Sequence, residues 1–272
     1  MKAAKRYFAP RIALATIAVA LFVAQYILGD FPVWIFAAPM NLLIGALWIM
    51  AIYEGYRHRR ASIVVEYLLS AEATYIALSI AAIIAMVVGL QSTPATTSWP
   101  IVGGAIFVLS VLTLVILRGW RNQRGVRWRF LITHCGLWVA LMAMFLGAPD
   151  KQILRVQAGE EPTREAIDEQ GKKDFLSYEL RLVDFKLEQS EDGTPKQFRA
   201  IVAIDDEVVD IEVNSPYSQR YGEDIYLVSY GSEGCVLQIV REPWRVVSLV
   251  GIAMLLLGAF MLFSQGFQRR EQ

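Results

Sequence analysis

The sequence predicts a polytopic α-helical membrane protein of about six spans with both termini cytoplasmic. A small, mainly antiparallel β domain is expected outside the cytoplasm, inserted between spans five and six. Three observations predict this. The 272 residues are 55% hydrophobic and only 19% charged, with mean hydropathy +0.40, where an ordinary soluble domain carries about 25% charge. The net charge of zero conceals a segregation. Asp150 to Glu242 hold 21 acidic and 11 basic residues, a net of −10, and the remainder holds 5 acidic and 15 basic, a net of +10. Six apolar stretches also approach the roughly 20 residues that a helical crossing needs. The domain organisation that follows is 1–148 transmembrane, 149–242 the β insert, and 243–272 a last span with its tail.

The spans are taken in order as Arg11 to Leu28, Phe31 to Tyr53, Ala73 to Leu90, Pro100 to Leu117, Phe130 to Ala148 and Trp244 to Phe263. Glu66 and Glu72 border the third, so Ile63 to Ser70 is open to an interfacial helix instead. The first span has the basic flank of a signal peptide. Ile27 to Asp30 is a poor cleavage site, however, and favours an uncleaved anchor. Lys2, Lys5, Arg6 and Arg11, then Arg57, Arg59 and Arg60, then Arg118, Arg121, Arg124, Arg127 and Arg129, and finally Arg269 and Arg270 all fall on one side. Positive charge in short loops marks the cytoplasmic face. The opposite loops carry Asp30, the uncharged segment Gln91 to Trp99, and the insert.

Composition excludes several classes. The apolar fraction is too high for disorder, and two cysteines make no disulfide scaffold. The basic residues lie in short loops between apolar runs, which argues against nucleic acid as a partner. Cys135 falls in the fifth span and Cys235 in the insert, so they are not expected to pair. There is no Cys-x-x-Cys.

Within the insert, Gly159 to Asp174 is polar, and strand-like alternation follows. Tyr178, Leu180 and Leu182 share a face. The phase slips to Phe185 and Leu187, predicting a bulge near Val183 and Asp184. Glu191 to Gly193 reads as a turn. Phe198, Ala200, Val202 and Ile204 form the next face, and Asp205-Asp206 a hairpin returning through Val209, Ile211 and Val213. Ile225 to Tyr230 and Cys235 to Val240 flank another hairpin. The insert has no histidine, so no Ser-His-Asp set is available there, and no metal-ligand spacing is present. Nothing in the chain is placed as a nucleophile or general base, which leans against an enzyme acting on its own and leaves its enzyme status open.

Candidate chemistry falls to one residue. His58 lies among arginines in a solvated loop, but His134 lies five residues after Arg129 within an apolar helix, roughly 7–8 Å along the axis. Ionisable groups inside a membrane are costly and by default are functional candidates. Two readings stay open here. One is a neutral imidazole hydrogen-bonded to a neighbouring helix. The other is an axial ligand to haem or another metal, with the second axial ligand from a partner. Trp138, one turn on, either lines a flat ligand or packs against core or lipid. Trp120, Trp128 and the arginines of their loop suit haem propionates, though the positive-inside bias accounts for them too. Gly136, Ala140, Ala143 and Gly147, and Gly251 with Gly258, allow close helix packing.

Three segments together resemble the ResB (CcsB) family of System II cytochrome c maturation. They are Phe130 to Gly147, similar to the family's histidine-bearing helix; Tyr178 to Glu188 with Asp192 to Phe198; and Glu212 to Tyr217 with Gly222 and Ile225 to Tyr230. The resemblance runs from about Ala71 to Phe263 and is best between Phe175 and Tyr230. It implies a subunit that works with a CcsA (ResC) partner to carry haem across the bacterial cytoplasmic (inner) membrane to apocytochrome c, with the β domain periplasmic. By carry-over, His134 is the ligand of a haem b shared with the partner, and Trp138 a haem contact. The partner's paired-tryptophan haem segment is absent, so this chain is not a complete synthase. Six spans where four are common, and a short insert, depart from the family. A different class stays in view, a non-haem membrane scaffold or receptor whose β domain binds a partner protein. A secondary transporter is disfavoured, because no inverted repeat is evident.

Overall fold

A computed structural model of the chain describes residues 6–90, 97–122, 125–189, 195–220, 222–231 and 234–268. It divides into two units, Met1–Pro149 with Val247–Gln272, and Asp150–Val246.

The first unit is helical. Its helices are α1 (Phe8–Leu28), α2 (Met40–Arg57), α3 (Ile63–Leu68), α4 (Ala71–Leu90), α5 (Trp99–Gly119), α6 (Trp128–Gly147) and α7 (Arg245–Gln268). Among the described residues, five helices are long and apolar enough to cross a membrane: α1, α4, α5, α6 with its short extension, and α7. The short α3 occupies the place of the interfacial helix. Its N-terminus is capped by the Ser62 hydroxyl, which accepts from Val65 N–H.

The segment expected as span two differs from its sequence reading. Its α-helix starts at Met40 rather than Phe31, because Pro32 and Pro39 lack the N–H a continuous helix needs. A 3₁₀ turn, Val33–Phe36, fills the gap and buries Phe36, which stacks on Phe31 at 5.5 Å. The apolar part of α2, Met40 to Tyr53, would rise only about 21 Å, against a hydrocarbon core of about 30 Å. A six-crossing reading therefore requires residues 31–57 to cross as one broken segment.

Glycine sets the closest approaches in this unit. A Cβ on Gly103 would lie 2.4 Å from Leu21, and one on Gly104 3.0 Å from Ile80, so α5 packs tightly on both α1 and α4. A Cβ on Gly136 would fall 2.9 Å from the Gly251 carbonyl oxygen, and one on Gly251 2.6 Å from Ala140 N. The small-residue faces of α6 and α7 thus meet backbone to backbone. Buried Asn41 of α2 donates to the Leu146 carbonyl of α6 at 3.2 Å, and Trp48 donates to Ser110 at 3.1 Å.

The second unit is one antiparallel sheet of eight strands: β3 (Gln152–Ala158), β4 (Thr163–Asp168), β5 (Lys173–Gln189), β6 (Pro195–Ile204), β7 (Glu207–Glu212), β8 (Tyr217–Arg220), β9 (Glu223–Gly231) and β10 (Gly234–Arg241). The spatial order is β7-β6-β5-β4-β3-β10-β9-β8. Period-two alternation puts Leu154, Val156, Tyr178, Leu180, Val202, Ile211, Ile225, Leu237 and Ile239 into one core. The bulge falls between Leu182 and Asp184, where the phase slip predicts it. Asp205 takes a left-handed φ of 49° in the β6–β7 hairpin. The turn expected at Glu191 to Gly193 lies outside the described residues. The polar stretch Gly159 to Asp174 contains β4 and the start of β5, which its composition had hidden.

Candidate functional site

The site is built at the junction of α5 and α6. The basic connection forms a small hairpin, β1 (Arg121–Asn122) against β2 (Gly125–Val126). Arg127 N–H then donates to the Trp120 carbonyl at 2.9 Å, which aims the start of α6. Positions 127, 130 and 134 recur at helical spacing on one side.

The Phe130 ring lies against the His134 imidazole, with ring centroids 3.9 Å apart and planes 26° apart. The Arg127 guanidinium sits 4.9 Å from the centre of the Phe130 ring and reaches the Gly119 carbonyl at 3.5 Å. Gly119 makes room for this arrangement, since a Cβ there would fall 2.3 Å from the Phe130 ring.

His134 is partly buried, and its Nδ1 lies 2.9 Å from the Phe130 carbonyl oxygen. A carbonyl oxygen only accepts, so this contact requires the proton on Nδ1. In the neutral ring the lone pair is then on Nε2. This donor chemistry fits one axial position of a haem iron: neutral imidazole, its other nitrogen engaged by a backbone carbonyl. Among the described residues no group of three or more His, Cys, Asp and Glu could hold a bare metal ion.

Trp138 is turned to packing. Its Nε1 donates to Thr113 of α5 at 2.8 Å, Thr113 donates to the Leu109 carbonyl at 2.7 Å, and the indole packs on the cluster of Val102, Leu109, Met142 and Leu146. These contacts are the packing that the core reading of Trp138 expects. His58 is exposed, 3.8 Å from Glu54, in the basic loop where the sequence put it. Glu72 accepts two bonds from Arg11, at 2.8 and 2.6 Å, and Glu66 pairs with Arg6 at 2.7 Å. Glu72 ties α1 to α4, and Glu66 ties α3 to Arg6, just before α1. An apolar cavity of about 770 Å³ between α1, α4 and α5, lined by Leu21, Ile84 and Gly104 among others, does not include His134.

The residues that sequence reading passed over are Phe130 and Gly119. The signal available was Arg127-x-x-Phe130-x-x-x-His134, an aromatic four residues before a histidine on a helix. Gly119 gave no signal, because its partner lies across a turn.

The β unit carries a second polar cluster. Glu223 and Asp224 are buried. Tyr178 donates to Glu223 at 2.7 Å, Arg241 donates to the other Glu223 oxygen at 2.5 Å, and Arg245 pairs with Asp224 at 2.6 Å. Burial, then the Glu223 carboxylate, push the Tyr178 phenol far above its ordinary range. Burial raises the Cys235 thiol from 9.0 to about 11. Both cysteines are free thiols.

Fold and site together define a membrane-type helical unit carrying one imidazole with an available nitrogen, joined in sequence to an antiparallel β unit. Residues 122–236 match the model of the ResB-like family. The match begins in the basic hairpin, includes His134 and ends in β10, so it covers less than half of the chain and is narrower than the resemblance from Ala71 to Phe263. A solved structure, cytochrome c heme lyase CcmF, is similar at 10% identity and TM-score 0.40, over 70% of this chain and 34% of that one. The chain thus spans about a third of that protein's length. No curated protein matches.

Proposed function

We propose that the chain is a ResB-like membrane subunit of cytochrome c biogenesis that holds haem through His134. With a CcsA-type partner it would pass that haem across the membrane to apocytochrome c. The family match over residues 122–236 supports the pathway. The observation that carries the residue assignment is the 2.9 Å contact from His134 Nδ1 to the Phe130 carbonyl, which leaves Nε2 without a hydrogen bond among the described residues. The carbonyl fixes the tautomer and the ring direction. Segregated positive charge supports cytoplasmic termini and an extracytoplasmic β unit. On that topology His134 lies in the inner leaflet, near the arginine-rich hairpin, where haem carboxylates would find cations.

The test is co-expression of the full chain with a CcsA-type partner, followed by a haemochrome assay and an absorption spectrum of the purified complex. His134→Ala is expected to remove the haem and the cytochrome c yield. Unchanged haem and yield would end the ligand role.

A second reading has its own observation. Phe185 and Tyr230 stack at 3.5 Å and 3° on the β unit, with Tyr230 51% exposed. A scaffold that binds a partner protein there, with no haem, predicts that Tyr230→Ser abolishes function while His134→Ala is silent.

A further inference from the structure

We infer that Phe130, seated on Gly119, is a positioning residue for the imidazole of His134. It sets the direction in which Nε2 meets haem iron. This inference rests on the proposed function and adds a residue to it.

Three observations converge on Phe130. Its ring is stacked on the imidazole at 3.9 Å. Its carbonyl oxygen takes the Nδ1 contact at 2.9 Å. Backbone and side chain of one residue thus constrain the same imidazole in two ways, one fixing the hydrogen-bond direction and the other the ring plane. The third observation is what holds the Phe130 ring. Gly119 of α5 lets the ring tip seat against that helix, since a Cβ there would fall 2.3 Å from the ring. On the same side of the helix, Arg127 sits 4.9 Å from the ring centre and is itself bonded to the Gly119 carbonyl. A histidine free to turn about its side-chain torsions would sweep Nε2 through an arc. This one is held by a neighbouring helix acting through a single ring.

The arrangement explains two residues that sequence reading leaves idle. Phe130 is more than another apolar residue of the span, because a leucine would fill space without presenting a flat face. Gly119 is more than a helix end, because alanine would displace Phe130 although it touches neither His134 nor its hydrogen bond.

The experiment uses the full chain co-expressed with a CcsA-type partner, loaded with haem, with Phe130→Leu, Gly119→Ala and His134→Ala compared with the parent. Three quantities are read: the Soret and reduced α bands, the rate of haem loss to excess apomyoglobin, and the rate at which diethyl pyrocarbonate modifies His134 in the haem-free protein. Phe130→Leu and Gly119→Ala are expected to keep haem but shift its bands, to speed its loss on the order of fivefold, the weight of one aromatic pair, and to speed modification of His134. Parental bands and rates in both Phe130→Leu and Gly119→Ala, with haem lost in His134→Ala, would overturn the inference and leave the ligand role standing. Haem retained in His134→Ala would remove both. Should Phe130→Leu fail to assemble, Gly119→Ala decides alone.

Discussion

Tyr178→Phe is the substitution whose effect the structure defines best. The Tyr178 ring is 1% exposed and its hydroxyl donates to Glu223, itself 5% exposed, at 2.7 Å. Phenylalanine keeps the ring and opens no cavity, so the loss is confined to one hydrogen bond to a carboxylate. Such a bond contributes about 1.5–3 kcal/mol. Glu223 retains Arg241 on its other oxygen at 2.5 Å, so no charge is orphaned and the lower part of that range applies, about 2 kcal/mol. For a unit of this size that corresponds to a melting shift of roughly 10 °C. Pulse proteolysis of the full chain in nanodiscs, scored at cleavage sites in the β unit across a urea series, measures it. The midpoint is expected to fall with an unchanged denaturant slope. Combining the change with Glu223→Gln should cost less than the sum of the two, because both act on one contact. A loss under about 0.5 kcal/mol, or strict additivity, would refute the assignment of Tyr178 and Glu223 to a single buried network.

Two further outcomes follow from named contacts. Gly251→Val puts carbon against Ala140 backbone atoms that cannot rotate away, at 2.6 Å and 2.9 Å. It should weaken α6–α7 packing by about 1–3 kcal/mol, seen as earlier loss of the monodisperse peak on heating in detergent, while Val247→Ala, on an exposed position of α7, leaves the peak unchanged. Above pH 9 the β unit should lose stability. The folded Cys235 thiol titrates only near 11, whereas an unfolded one titrates near 9.0, so between those values the folded state holds the extra proton and stability falls as pH rises. The slope from this thiol is at most about 1.4 kcal/mol per pH unit. Cys235→Ala should flatten it in urea melts at pH 8, 9 and 10, and an unchanged slope would show that this thiol does not govern the alkaline loss.

What the sequence made legible was whatever follows from periodicity and charge. Apolar runs located α4, α5, α6 and α7 to within a few residues, and the slip from Leu182 to Phe185 located a bulge the register confirms. Alternation located β6, β7, β9 and β10. The α-helix within span two starts later than the apolar run because hydropathy alone ignores the missing N–H groups of Pro32 and Pro39. Strand β4 was missed because only Ala166 of its six residues reaches the core, and the rest read as polar loop. In the site, His134 was visible as a polar residue in an apolar run. Phe130 and Gly119 were not, because their meaning lies in a contact across the α5–α6 turn that spacing along either helix cannot show.

The surroundings of α6 explain why His134 and Trp138 make different contacts, although four residues on a helix bring them within about 40° of each other. One face, with Thr133, Gly136 and Ala140, is spent on α7. A second, with Trp138, Met142 and Leu146, is spent on α5 and the core around Phe36. His134 belongs by angle beside the second face but one turn nearer the helix start. There α5 ends at Gly119, and the covering surface is the Phe130 ring rather than interlocking side chains. A histidine one turn later would have been absorbed as Trp138 is, by a hydroxyl on α5. At 134 the backbone carbonyl takes one ring nitrogen, and among the described residues no hydrogen bond takes the other. The end of α5 therefore determines which of two neighbouring polar rings is paired to the next helix and which is paired to its own helix backbone.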